Sequence, residues 1–133
     1  MQAFSDNQVA LISGGTSGIG FATAELLLKQ GWCVVINGRN EWDGQEAVVK
    51  LRRISSKVRF VQGDVSKVMN CRRIVEDTVR LFGNLNALVT AAGYYEERLL
   101  DDVDEQNFDE MFGTNVKGTV FLCQAAAPYL KQV

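Results

Sequence analysis

Residues 13–20 read Ser13-Gly14-Gly15-Thr16-Ser17-Gly18-Ile19-Gly20 and directly follow the apolar run Val9-Ala10-Leu11-Ile12. A strand that ends there turns tightly on Gly14, and a helix starting near Gly18 aims its first free N–H groups at one point. Orphan donors and the positive helix end together make that point attractive to an anion such as a diphosphate. The spacing Gly-x-x-x-Gly-x-Gly is one residue longer than the common dinucleotide fingerprint. A glycine loop can also be only a tight turn, so the residues around it carry the decision. Four further groups have chemistry to offer. They are Asn37-Gly38-Arg39-Asn40, Asp64-Val65, Thr90-Ala91-Ala92-Gly93 and Asn115-Val116-Lys117-Gly118.

The elements that must position these groups follow from hydrophobic pattern. Apolar runs at Val9–Ile12, Trp32–Ile36, Val58–Val61 and Leu85–Ala92, interrupted only by Arg59, Asn86 and Thr90, are continuous rather than alternating, as expected of parallel strands covered on both faces. Between them lie helical patterns. Ile19, Ala22, Leu26 and Leu27 form one apolar stripe that stops at Gly31. A second helix covers Trp42 to Arg53 with Ala47, Val48 and Leu51 inward. A third takes Ser66 as N-cap, carries Cys71, Ile74, Val75, Thr78, Val79 and Phe82 at helical spacing, and ends at Gly83. The acidic stretch Asp101 to Asp109 is a loop or the start of a short helix. A last helix runs from Phe112 through Val116 to Leu130, with Pro128 a candidate bend. This alternation predicts a doubly wound parallel α/β sheet of Rossmann type in the order 3-2-1-4, with residues 1–133 as one domain or part of one.

The Ser13–Gly20 turn, with its strand, helix and later landmarks, resembles the short-chain dehydrogenase/reductase family, whose first turn reads Thr-Gly-x-x-x-Gly-x-Gly with Ser allowed at the first place. The resemblance implies a nicotinamide dinucleotide held by Gly14, Thr16, Ser17, Gly18, Ile19 and Gly20. It places Asp64 beside the adenine amino group and gives Val65 backbone and apolar contacts. Asp64 also suits the start of the third helix, and both roles can coexist. Ala91, Ala92 and Gly93 stand where the family often shows Asn-Ala-Gly, letting a ribose approach the backbone. Ala91 lacks the amide that often ties neighbouring strands there. Gly38 stands where an NAD-selective site carries a carboxylate, and Arg39 comes next. A guanidinium clamps a phosphate, so the expected cofactor is NADP, with NADPH preferred over NADH. Arg39 as an ordinary surface arginine is the competing reading. A methyltransferase using S-adenosylmethionine is disfavoured, because its site wants an acid after strand 2.

Asn115 matches the asparagine of the family's Asn-Ser-Tyr-Lys catalytic set and is implied to hold a water in a proton relay. A polar residue bonding the helix backbone at a bend is the other reading. The chemistry implied is hydride transfer between NADP(H) and a carbonyl or alcohol, in the manner of a 3-oxoacyl-carrier-protein reductase among others. The chain contains no Tyr-x-x-x-Lys; Tyr94-Tyr95-Glu96-Glu97-Arg98 is a lookalike with the wrong cation in the wrong place. The resemblance thus covers the cofactor half of the family's domain, and the chain is expected to be truncated before the catalytic Tyr/Lys and inactive alone. The alternative is a non-catalytic nucleotide-binding or interaction module that pairs with another chain through an open strand 4 edge.

Composition narrows the field further. In 133 residues, 47% hydrophobic and 23% charged is ordinary for a globular chain, and a net charge of −2 gives no broad attraction to nucleic acid or membranes. Met1 to Asp6 has neither the basic nor the apolar part of a targeting signal, so a cytoplasmic setting is expected. With no histidine, neither a zinc site nor a Cys–His nucleophile can be built from the usual parts. Cys33, Cys71 and Cys123 are expected as buried, reduced thiols. The expected assembly is a homo-oligomer or pairing through the exposed strand 4 edge, and no metal is expected.

Overall fold

The structure, a computed structural model, describes residues 7–132; the segment Met1 to Asp6 lies outside the described residues. The four apolar runs form parallel strands β1 (Val9–Ser13), β2 (Cys33–Gly38), β3 (Val58–Gln62) and β4 (Ala87–Thr90), ordered β3-β2-β1-β4 as expected. β1 is buried along its whole length, because successive side chains point to opposite faces and both faces are covered. Ile12, Val34 and Ile36 pack with Ala24, Leu28, Ala47, Val48 and Leu51 under α1 (Gly18–Lys29) and α2 (Glu41–Leu51). On the opposite face, Leu11, Val35 and Val61 pack with Cys71, Ile74, Val75, Leu122 and Ala126 from α3 (Val68–Phe82) and a C-terminal helix. The sheet is doubly wound, and the ends of its strands stand on one side.

Several expectations shift in detail. Of the stripe assigned to α1, Leu27 is half-buried against the core, but Ile19 is 82% exposed, Leu26 56% and Ala22 also exposed, and the fully buried positions are Gly20, Ala24 and Leu28. Gly20 is small there because its Cβ position falls on the Gly14 carbonyl, while Ala24 and Leu28 pack on the sheet. Ser66 does not cap α3, whose N-cap is Lys67; the Ser66 hydroxyl donates to Asp64. Asn40 caps α2, its side chain accepting from the Asp43 N–H. Gly83 ends α3 in the left-handed conformation. β4 is shorter than the run that announced it, and its residues Ala87, Leu88 and Val89 are half-buried at the sheet's edge.

The long final helix is divided. After a 3₁₀ turn (Leu100–Asp102), α4 (Glu105–Phe112) is capped by Asp104, whose side chain accepts from the Asn107 N–H. A π-helical segment, Gly113–Lys117, follows, and α5 (Gly118–Leu130) continues through Pro128. Cys33 and Cys71 are buried free thiols, whereas Cys123 is exposed on α5, contrary to expectation. Cys123 follows buried Leu122, and one step around a helix carries it to the outer face.

Candidate functional site

The turn after β1 is built by exclusion of side chains. Gly14 has φ +65°, and a Cβ there would lie 2.6 Å from backbone atoms of Ala92. The turn therefore sits directly against the segment leaving β4. A Cβ on Gly15 would fall 2.6 Å from that of Ile36, and one on Gly20 would collide with the Gly14 carbonyl. Hydrogen bonds hold the same contacts: the Gly15 N–H donates to Asn37 O at 3.0 Å and the Ala91 N–H to Ser13 O at 3.1 Å. The Ala92 N–H donates to the Ser13 hydroxyl at 3.3 Å. Gly18, with φ +58°, differs: nothing lies within 4 Å of its Cβ position. The first residue of α1 is thus open around its Cβ position, at the helix end whose first N–H groups lack intrahelical partners. The described residues fit a diphosphate there, since a cradle that a methyl would fill stands clear.

Beside this loop, a Cβ on Gly38 would meet the Thr16 side chain at 3.0 Å. The end of β2 and the loop are therefore neighbours, and Arg39 stands next to both. Arg39 is exposed and makes no ion pair among the described residues. Asp64 follows β3. Its Oδ1 accepts from the Ser66 N–H at 3.0 Å and from the Ser66 hydroxyl at 2.7 Å. Burial opposes its charge, but these bonds, with Arg39 and Lys67 nearby, hold its carboxyl below the ordinary range. Val65 is buried in the core at 5% exposure, and its carbonyl accepts from Cys71 Sγ. Its side chain is spent on packing, which leaves only its backbone to touch a ligand.

Asn115 lies in the π-helical segment and reaches across to the end of β4. Its Oδ1 accepts from the Tyr94 N–H and its Nδ2 donates to Tyr94 O, both at 2.8 Å. A polar residue bonding backbone at a helix irregularity describes this part of its role. The bond also brings Asn115 to Gly93, whose Cβ position is 3.6 Å from Oδ1. Ala91, Ala92, Gly93 and Asn115 are thus one cluster, adjoining Gly14. The Tyr94 hydroxyl donates to Glu96 at 2.6 Å, and that bond, with burial and the negative charge of Glu96, pushes it up to about 12. Glu96 also accepts from Asn107 and Arg98, and Arg98 bridges on to Asp104. The Tyr94–Arg98 segment is a loop fastened to the start of α4.

A cleft of about 1180 Å³ runs from Arg39 and Asp64 past Ser66, Lys67 and Tyr94 to Glu105, Asp109, Phe112 and Val116. It lies beside the glycine loop rather than over it. Reasoning from sequence missed three supports. Gly15 has the same close-approach signature as its neighbours but sits outside the motif's spacing. Ser13 is 1% exposed and ties the loop to β4. Asn37, also 1% exposed, donates from Nδ2 to Val61 O at 3.0 Å and Gly63 O at 3.2 Å. That amide bridges β2 and β3, so a strand tie absent at Ala91 exists on the other side of β1.

The sequence profile described as short chain dehydrogenase matches residues 8–133. The chain belongs to this family. An uncharacterized oxidoreductase of Methylorubrum extorquens is 36% identical over 126 residues, covering 94% of this chain and 51% of that protein. The NADPH-dependent aldehyde reductase 1, chloroplastic, of Arabidopsis thaliana is 32% identical, with 94% and 46% covered. The crystal structure of an NADH-dependent reductase complexed with NAD superposes with a TM-score of 0.86 at 30% identity, covering 98% of this chain and 56% of that one. This short-chain dehydrogenase chain spans about half the length of the curated relatives it matches. Its relatives are oxidoreductases, and its sheet is the corresponding part of their nucleotide-binding fold.

Proposed function

We propose that this chain is the cofactor-binding half of an NADP-dependent oxidoreductase that moves hydride between NADP(H) and a carbonyl or alcohol substrate. The observation that carries the reading is the open position at Gly18 together with an unpaired guanidinium at Arg39, one residue past Gly38, which meets Thr16 of the same loop and carries no carboxylate. Gly14, Thr16, Ser17, Gly18, Ile19 and Gly20 would hold the diphosphate through backbone N–H groups. Ala91, Ala92 and Gly93 would lie against a ribose, and Asp64 retains a carboxylate oxygen for the adenine amino group. The nicotinamide supplies the hydride when bound. Asn115, anchored by its side chain to Tyr94, would take part in water-mediated proton transfer. The chain's three tyrosines include none four residues before a lysine, so these 133 residues are expected to bind dinucleotide without catalysing reduction. The unpaired cysteines favour a reducing compartment such as the cytoplasm.

The test is a titration of NADPH and NADH against the protein and Arg39→Ala. The parent is expected to bind NADPH more tightly. Arg39→Ala is expected to lose at least about tenfold in NADPH affinity, since charge-assisted bonds are worth about 1.5–3 kcal/mol. NADH affinity should be little changed. Equal affinities for the two dinucleotides in both proteins would refute the cofactor assignment.

The half-buried β4 edge favours a second reading, in which the same module docks another strand there. A further length of chain or a second protein could supply that strand. Homo-oligomerisation through this edge is the simplest form.

A further inference from the structure

Arg39 stands just past the end of β2, where the backbone ladder to β3 runs out. Gly38 is in register with Gln62, and the Gly63 N–H still donates to Gly38 O at 3.0 Å. The next carbonyl, that of Arg39, has no backbone donor from β3. Gln62 provides one from its side chain: Nε2 donates to Arg39 O at 3.0 Å. Gln62 is itself held, because its own carbonyl accepts from the Arg73 guanidinium at 2.7 Å, and Arg73 is oriented by Asn70 Oδ1 at 3.0 Å. A chain of bonds therefore runs from α3 through the end of β3 to the main chain that carries the guanidinium.

We propose that Gln62 is a positioning residue that sets the coenzyme preference by fixing the main chain of Arg39. A guanidinium on a long side chain gives strong two-point contact to phosphate only where its stem is anchored, because each loosened torsion lowers the share of time spent in the clamping geometry. Gln62 acts on this stem without touching the ligand. The inference rests on the reading of Arg39 given above. It adds that part of the preference for a 2′-phosphate is encoded on β3, a strand away from the arginine.

The experiment measures NADPH and NADH affinity, by nicotinamide fluorescence, for the parent, Gln62→Met, Gln62→Glu, Arg39→Ala and the Arg39→Ala/Gln62→Met double variant. Met is close in length, neutral and unable to donate. Glu keeps the shape of Gln while replacing the donor. Gln62→Met is expected to lower NADPH affinity about three- to tenfold, the span of one ordinary hydrogen bond, with NADH affinity unchanged. In the Arg39→Ala background the same substitution is expected to do nothing more, the non-additivity of residues acting as a unit. Should Arg39→Ala itself leave the NADPH-to-NADH ratio untouched, the assignment of Arg39 falls and this inference with it. Should Arg39→Ala lower the ratio while Gln62→Met does not, only this inference falls, and a loss confined to Gln62→Glu reports its added charge and overturns the inference equally. Equal losses for both dinucleotides, or full loss in the double variant beyond Arg39→Ala, would reduce the bond to a prop of the sheet and overturn the proposal.

Discussion

Gly14 and Gly18 both carry positive φ, yet they carry it for different neighbours. At Gly14 a methyl would meet the Ala92 backbone; at Gly18 it would meet nothing. Either Gly→Ala change brings about 1–2 kcal/mol of left-handed backbone strain, and only Gly14→Ala adds a collision, worth about 1–3 kcal/mol more by analogy with overpacking. Urea denaturation should therefore show Gly14→Ala clearly less stable than Gly18→Ala. Dinucleotide titration should show the reverse emphasis: Gly18→Ala folds but binds weakly, because its methyl occupies the space a diphosphate needs. Equal stability of the two variants would contradict the packing of this turn. The glycines were legible from sequence because glycine marks its own conformation. Asn37 and Ser13 were not, since a buried amide or hydroxyl declares its partners only once β2 meets β3 and β1 meets the end of β4.

At the scale of elements, α1 shows how periodicity misleads. Apolar residues of α1 lie on two sides, and the spacing of Ile19, Ala22, Leu26 and Leu27 suggested a buried face of which only Leu27 packs on the core. The helix instead buries Gly20 against the Gly14 carbonyl and Ala24 and Leu28 against the sheet. Close approach selects small residues, a signal that a hydrophobicity pattern ranks low. Leu28→Ala is accordingly expected to cost about 2–5 kcal/mol, and Leu26→Ala well under about 1 kcal/mol, as an exposed site should. Chemical denaturation of the two variants checks it, and a larger loss at Leu26 would restore the face expected from sequence. The π-helical segment escaped notice for a related reason. One extra residue in a turn shifts the stripe without breaking it. Asn115 marks the place only through its bonds to Tyr94. Ser66 failed as an N-cap because Asp64, two residues earlier, takes its hydroxyl.

Across the whole molecule, the strand order and the gathering of Gly14, Arg39, Asp64, Gly93 and Asn115 at one side of the sheet were legible, because parallel topology leaves few ways to connect four buried strands. Global stability also reports on this side. The folded Asp64 carboxyl lies below its usual value, and the unfolded one titrates near about 3.9. The sign is that of a depressed acid: its contribution is complete above the unfolded value and disappears as pH falls through the lower folded one. Asp64→Asn should be less stable than the parent at pH 7, with the gap narrowing below about pH 4. Denaturation midpoints across that range decide it, and a gap constant down to strongly acid pH would show that Asp64 acts through shape rather than charge.

Gly15 rests its backbone on the Cβ of Ile36, a side chain with no exposed surface. The floor of the proposed anion cradle is therefore the same matter as the hydrophobic interior. Trimming Ile36 to make room inside would slacken the ligand loop above it, and enlarging it would push that loop outward. On the proposed function, robustness and grip share a single wall, and selection or engineering that adjusts one must disturb the other.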